Sequence, residues 1–156
     1  MSATIADATG TTMIVIGIGL IGVCLTIHSC FMFAILKTHA LFAGAFPNLR
    51  GLRMLVPSIL IATGLIVVSC FIQIMLWAAL LWWTGQFDLP RDATYYSSST
   101  FTTLGASHRI LAAPYRALEP LEATNGLLAN GLNTAILFAI MSSLARRRSD
   151  YEEYFR

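Results

Sequence analysis

Residues 95–108 read YYSSSTFTTLGASH and lie between two long apolar segments of the chain. The run is rich in hydroxyl groups, and its last part holds a glycine followed by two small residues. It is too polar to cross a bilayer unaided and too apolar for an ordinary solvent-exposed loop. This combination predicts a stretch of backbone that is buried inside a membrane protein assembly.

The composition of the whole chain indicates that lipid is part of its solvent. Of its 156 residues, 56% are hydrophobic and 12% are charged, and the mean hydropathy is +0.70. A soluble domain of this length could not hide so much apolar surface. The small net charge of +2 indicates no acidic partner, and we predict no nucleic-acid partner. Each cysteine lies inside an apolar run and is predicted to pack as a small hydrophobe, with no disulfide, metal site or cofactor (Cys24, Cys30 and Cys70).

Three apolar runs are long enough to span a membrane, over residues 12–36, 55–83 and 121–144. At a rise of about 1.5 Å per residue, each helix reaches across a hydrocarbon core of about 30 Å. We therefore predict an all-α membrane protein with three transmembrane helices. The N-terminal tail lacks the basic residues of a signal peptide, so we expect the first helix to be retained.

Basic residues near the ends of the spans predict the orientation. The N-terminal tail has none, whereas the connector after the first span and the C-terminal tail are both basic. They contribute Lys37, Arg50 and Arg53, and Arg146, Arg147, Arg148 and Arg156, against Arg91, Arg109 and Arg116 in the loop before the third span. The N-terminus is therefore predicted outside and the C-terminus in the cytoplasm.

Between the second and third spans the sequence predicts a short helix over residues 93–103. Asp92 is placed to cap its N-terminus, and Gly105 is placed to end it. Tryptophans at the end of the second span are predicted to form an interfacial belt (Trp77, Trp82 and Trp83).

The first span contains a glycine pattern and one histidine. Residues 17–22, GIGLIG, match the G-x-G-x-x-G pattern of dinucleotide sites, but no strand precedes them, so we predict close helix packing through Gly22, Thr26 and Cys30. His28 is the only ionisable group in this span. Two interpretations stay open for it: a neutral imidazole bonded to a neighbouring helix, or a proton-sensing group.

The third span carries polar residues on one side. At 100° per residue, one stripe holds Asn130, Asn133, Thr134, Leu137 and Met141. Two asparagines inside a membrane need hydrogen-bond partners, either on neighbouring helices or in a water-filled cavity. We prefer the cavity, because the short helix before this span also needs a wet, protein-lined place to end.

The order of second span, short polar helix, Thr-Leu-Gly and third span resembles the pore domain of potassium-channel-like pore-loop channels. Members of that family carry a run close to Y-[FW]-S-x-x-T-x-T-T-[VL]-G-Y-G-D, and residues 95–105 follow it, with Tyr96 where the pattern has Phe or Trp. More narrowly, the chain is similar to small bacterial members with one helix before the pore domain. His28 and the runs LEPLEA (118–123) and NGLL (125–128) fit that group.

The resemblance implies a re-entrant pore helix and filter loop between helices 2 and 3. It assigns the pore helix to Tyr95, Tyr96, Ser97, Thr100 and Thr102, the selectivity filter to Thr103, Leu104, Gly105, Ala106 and Ser107, and the outer mouth to His108 and Arg109. It divides the chain into an N-terminal helix and connector (1–54), a pore domain (55–144) and a cytoplasmic tail (145–156). It also implies a homotetramer in the inner membrane of a bacterial cell that passes monovalent cations and catalyses no reaction.

The match fails after Gly105, where Ala106, Ser107 and His108 stand in place of tyrosine, glycine and aspartate. Alanine cannot brace the filter as tyrosine does, serine resists positive φ, and histidine removes a cation-attracting carboxylate. These changes predict weak selectivity among cations. They are also compatible with a second hypothesis, in which the chain is a non-conducting accessory subunit derived from a channel.

Two further interpretations concern histidine and serine side chains. His28 and His108 are the candidate proton-sensing groups of a channel. Gly105-Ala106-Ser107 beside a histidine also resembles the G-x-S nucleophile of rhomboid-like intramembrane proteases, although three spans are few for that family.

Overall fold

The computed structural model describes the backbone of residues 2–46 and 52–154, and the side chains of residues 9–46 and 53–143. The predictions for the basic residues of the connector and tail fall partly outside these residues. Those outside are Arg50, Arg156 and the side chains of Arg146, Arg147 and Arg148.

The regular structure of the described residues is all helical, with four α-helices and one short 3₁₀ turn. They are α1 (Ser2–Ala45), α2 (Leu52–Trp83), α3 (Pro90–Phe101), the 3₁₀ turn (Ala113–Tyr115) and α4 (Leu118–Tyr154). Three segments are long and apolar enough to cross a membrane: Thr9–Ala45, Arg53–Trp83 and Ala113–Ser143. The predicted all-α fold with three candidate spans is thus confirmed, and the chain has the form of a multi-pass membrane protein.

The helices are longer than their apolar runs. Helix α1 continues past Leu36 through Lys37, and α4 starts two residues before Pro120. Pro120 fits there because the first turn of a helix has no intrahelical partner for a backbone N–H. Hydropathy therefore located the spans but not the helix ends.

Helix α3 begins earlier than predicted and has a different cap. Its N-cap is Leu89 in an extended conformation, with Pro90 in the first position and no capping side-chain hydrogen bond. The prediction of Asp92 as the cap is therefore wrong, because the proline pre-sets the first helical φ. At the other end, Thr102 is the C-cap, so the helix ends before Gly105.

Two apolar clusters hold the helices together, one toward each end of the bundle. The first joins α1, α2, α3 and the start of α4 through Cys24, Trp77, Ala78, Leu81, Phe87, Ala93, Tyr96, Leu111 and Leu118. The second joins α1, α2 and α4 through Ile35, Ala62, Ile66, Ile136 and Ile140. Between these clusters lie a smaller apolar contact of Ile74, Phe101 and Ala129 and several buried polar side chains, which belong to the site described below.

Two sequence predictions about packing are corrected by these contacts. Within residues 17–22, the glycine that packs closely in the single chain is Gly17, where an added Cβ would lie 2.7 Å from Leu121 Cδ1, whereas nothing lies within 4 Å of Gly22. Trp77 is fully buried in the first cluster, so only Trp82 and Trp83 remain available for an interfacial belt.

Candidate functional site

Residues 102–106, which follow α3 and are called the tethered loop here, are bonded back to that helix through every backbone N–H. Thr102 donates to Ser98 O, Thr103 to Thr100 O, and both Leu104 and Gly105 to Ser99 O. Ala106 N donates to Ser99 Oγ at 2.7 Å. Ser99 is itself buried, so one side chain and one carbonyl of α3 anchor most of the loop.

The carbonyl oxygens of the tethered loop are arranged differently from its N–H groups. No hydrogen bond within the described residues uses the carbonyls of residues 103–106. Thr103 and Gly105 have positive φ, 59° and 61°, whereas Thr102 is right-handed and Leu104 is not at positive φ. When residues alternate between left-handed and right-handed backbone conformations, successive N–H groups point to one side of the loop and the carbonyl oxygens point to the other. The loop is exposed, with Leu104 at 73%.

A threonine at positive φ is strained, because a β-branched side chain fits the left-handed region poorly. We expect Thr103→Gly to raise the free energy of unfolding by about 1 kcal/mol, after allowing for the greater freedom of glycine in the unfolded chain. Thr102→Gly, at φ −81°, should instead lower it by up to about 1 kcal/mol. Thermal unfolding in detergent micelles measures both, and equal losses for the two variants would contradict the loop conformation.

The C-terminal end of α3 sits directly on α4. An added Cβ at Gly126 would overlap the carbonyl group of Phe101, lying 2.8 Å from its carbon. Phe101 is buried with Ile74 of α2 and Ala129 of α4. The end of α3, and with it the start of the tethered loop, is therefore held between two spans by backbone contact.

Further back, two side chains of α3 fix the helix against its neighbours. The ring of Tyr96 packs on Phe87 with centroids 5.1 Å apart. Burial, together with the nearby carboxylate of Glu119, raises the pKa of the Tyr96 phenol above its usual range, so it stays neutral. Ser97 is fully buried and bonds both to Ile74 O, at 3.1 Å, and to Glu122 Oε1.

The other predicted pore-helix residues divide by exposure. Thr100 is buried, whereas Tyr95 and Thr102 are exposed. The Oγ atom of Thr102 donates to Ser98 O at 2.8 Å. Thus the short helix has one face packed on α2 and α4 and another that is open in the single chain.

Beyond the tethered loop, the predicted outer-mouth residues are exposed. The Arg109 guanidinium lies over the Phe87 ring, 4.9 Å from its centroid. Ser107 Oγ accepts a hydrogen bond from Arg109 N at 3.3 Å, and no histidine side chain is hydrogen-bonded to Ser107 within the described residues. His108 is exposed and adjacent in sequence.

A layer of buried polar side chains, called the polar layer here, crosses the three long helices between the two apolar clusters. It consists of His28 from α1, Ser69 and Gln73 from α2, and Asn125 from α4, all at 0% exposure. Asn125 Nδ2 donates to Gln73 Oε1 at 3.2 Å, and Gln73 Nε2 lies 3.1 Å from His28 Nδ1. Ser69 Oγ lies 2.9 Å from the same nitrogen.

The polar layer bears on the two interpretations of His28. An amide N–H₂ group can only donate, so the Gln73 contact makes His28 Nδ1 an acceptor and places the ring proton on Nε2. These contacts favour the neutral, hydrogen-bonded imidazole, and proton sensing by His28 stays a prediction. Its Nε2 has no hydrogen-bond partner among the described residues.

The predicted polar stripe of α4 is divided between two environments. Asn133 is buried and donates toward Cys70 Sγ at 3.6 Å, and Leu137 packs at the edge of the second apolar cluster. Asn130, Thr134 and Met141 are exposed and form a narrower stripe. Asn130 lies one turn after Gly126, so this stripe starts beside the end of α3.

Four residues of the buried site did not figure among the predicted site residues: Ser69, Gln73, Glu122 and Asn125. A signal for them was present in the sequence, since polar residues inside apolar spans are functional candidates by default. Glu122 and Asn125 stand in the runs LEPLEA and NGLL, which the resemblance to pore-loop channels uses without giving either residue a role. The partner of Glu122, Ser97, is 25 positions away, a pairing that no local pattern indicates.

Comparison with known proteins adds no assignment to this geometry. No protein-family model, curated protein or solved structure matches the chain. The resemblance to pore-loop channels therefore remains a hypothesis that rests on the residues of this chain alone.

Proposed function

We propose that the chain is the subunit of a pore-loop ion channel, a homotetramer around a central axis that passes monovalent cations with weak selectivity. In this proposal α2 is the outer helix, α3 is a re-entrant pore helix, and α4 is the inner helix. The protein lies in the inner membrane of a bacterial cell, with its N-terminus outside and its C-terminus in the cytoplasm. It catalyses no reaction.

The observation that carries the proposal is the orientation of the tethered loop. Its N–H groups are all used by α3, whereas the carbonyl oxygens of residues 103–106 have no protein donor within the described residues. A channel that removes water from a cation needs backbone carbonyl oxygens without protein hydrogen-bond donors, because these oxygens replace the hydration shell of the cation. The helix C-terminus at Phe101 adds a partial negative charge beside them.

The exposed faces near the loop support assembly of several copies. Leu104 and Ile110 are 73% and 74% exposed in the single chain, and the stripe of Asn130, Thr134 and Met141 is also open. Irregular backbone at membrane depth is stable only when protein or a water-filled cavity covers it. A ring of copies would cover the loop and turn the stripe toward a wet axis.

Weak selectivity follows from the outer part of the loop. Ala106, Ser107 and His108 supply neither an aromatic brace nor a carboxylate, and Arg109 places a positive charge on Phe87 close by. The retained carbonyls of Thr103, Leu104 and Gly105 form an inner site only. Fewer carbonyl rings discriminate less between potassium and sodium.

Ion flux into liposomes holding the purified protein tests the proposal. We expect potassium and sodium to enter at rates within about tenfold of each other, a difference of about 1.4 kcal/mol. Asn130→Trp should block the flux by filling the axis. Leu128→Trp, an exposed position on the opposite side of the same helix, should leave it intact.

Two results would contradict the proposal. One is a tetrameric ring without flux at any pH or voltage, which would favour the accessory subunit. The other is a block by Leu128→Trp with no effect of Asn130→Trp, which would place the wrong face of α4 at the axis.

A further inference from the structure

Ser97 is the one described hydroxyl of α3 that joins three helices. Thr94, Ser98 and Thr102 each donate to a carbonyl of their own helix, four residues earlier. Ser97 instead bonds to Ile74 O of α2 and to Glu122 Oε1 of α4. This single side chain therefore ties the middle of α3 to both spans that hold the tethered loop.

The hydrogen bonds of Ser97 require a proton on Glu122. A serine hydroxyl has one proton to donate, and both a backbone carbonyl and an ionised carboxylate only accept. If Glu122 is ionised, the Ser97 hydroxyl can donate to only one of the two acceptors, Ile74 O or Glu122 Oε1. If Glu122 is a neutral acid, its O–H donates to Ser97 Oγ, and Ser97 donates to Ile74 O, so both contacts are made.

The surroundings of Glu122 also favour the neutral acid. Glu122 is at 0% exposure, and its second oxygen, Oε2, has no hydrogen-bond donor among the described residues. A buried carboxylate with at most one hydrogen-bond donor and no cation beside it is strongly unfavourable.

The titratable groups that face Glu122 are all neutral or acidic. They are Cys24 of α1, Tyr96 of α3, and Glu119 one turn earlier on α4. His28 is reached only through Gln73 and Asn125, with Nδ1 already accepting. The described part of α2 offers Gln73 and Ile74 at this level and no charged side chain.

We propose that Glu122 is an intramembrane proton-binding site whose neutral carboxyl group, through Ser97, positions α3 and the tethered loop against α2 and α4. Loss of the proton breaks this link and loosens the end of α3. The consequence for ion flow rests on the channel function proposed above, whereas the bound proton does not.

Infrared spectroscopy of the full chain in lipid detects the proton directly. Near pH 7 we expect the C=O stretch of a neutral carboxylic acid in the wild type. Glu122→Gln should remove this band, and Glu119→Gln, an exposed carboxylate on the same helix, should keep it. A wild-type spectrum near pH 7 without any such band that Glu122→Gln removes would overturn the proposal.

The pH dependence of thermal unfolding provides a second readout that needs no conduction. Unfolding exposes the carboxyl group to water, where it ionises above about pH 4.3. As the pH rises from about 5 to 8, the melting temperature of the wild type should therefore fall by several degrees relative to Glu122→Gln. Glu119→Gln should follow the wild type. Parallel curves for the wild type and Glu122→Gln would contradict the proposal.

Flux in the same samples separates the two proposals. If the chain conducts, flux through the wild type should decline at alkaline pH while flux through Glu122→Gln stays constant, and an equal decline in both would overturn the positioning role. If no variant conducts but the infrared band behaves as expected, the channel function fails and the proton site stands.

Discussion

Gly126→Ala is expected to disrupt the fold around the tethered loop, lowering the free energy of unfolding by about 3 kcal/mol or more. The added methyl group would overlap the Phe101 carbonyl, which is backbone and cannot rotate away as a side chain does. Either α3 moves off α4 or α4 bends. In both cases the end of α3 shifts, so flux and assembly should be lost together.

Gly131→Ala is the matched control for this prediction. It lies on the same helix with nothing within 4 Å, so alanine meets open space there. Because alanine favours helix over glycine, the control should be as stable as the wild type or more stable by up to about 1 kcal/mol. Thermal unfolding and size-exclusion profiles in detergent measure both variants. A Gly126→Ala protein that unfolds with the wild type would contradict the α3–α4 contact.

Restoring the family residues at three positions, Ala106→Tyr, Ser107→Gly and His108→Asp together, is expected to raise the preference for potassium over sodium at least about tenfold, or 1.4 kcal/mol. Tyrosine supplies an aromatic brace, glycine admits positive φ, and aspartate attracts cations to the mouth. The inner loop needs no change, since its N–H groups are already bound to α3. Flux ratios in liposomes measure the preference.

His108→Asp alone is the control for the triple variant. It adds the carboxylate without the brace or the glycine, so cation flux should increase while the potassium-to-sodium ratio stays near that of the wild type. If the triple variant conducts with an unchanged ratio, residues 106–108 do not form the outer half of a filter. If the single variant alone gives the full preference, the brace is not what the wild type lacks.

Some features could be predicted because they depend on local chemistry. An apolar run of sufficient length forms a membrane-length helix whatever it packs against, so the three spans were found. The short helix before the tethered loop was found as well, because Asp92, the polar residues that follow it and Gly105 are local signals. The N-cap of this helix was predicted wrongly, since Asp92 and Pro90 compete for the same helix start and only the backbone conformation decides between them.

The division of each helix surface could not be predicted in the same way. Asn130 and Asn133 lie close in angle, yet one is exposed and the other faces Cys70, because the position of α2 decides where the buried face of α4 ends. Trp77 is likewise in the core rather than in the belt, since α3 and α4 cover it. Helical periodicity gives the order of residues around an axis, but not the direction of the neighbouring helices.

By itself, the sequence determined that this is an all-helical chain with three membrane-length segments, a short polar helix and a glycine-containing loop. Only the tertiary structure decided which polar groups meet: Ser97 with Glu122, and Gln73 with Asn125 and His28. The physical reason is distance along the chain. Helix formation is set by neighbours within a few residues, whereas a buried hydrogen bond between helices exists only when packing brings its donor and acceptor together.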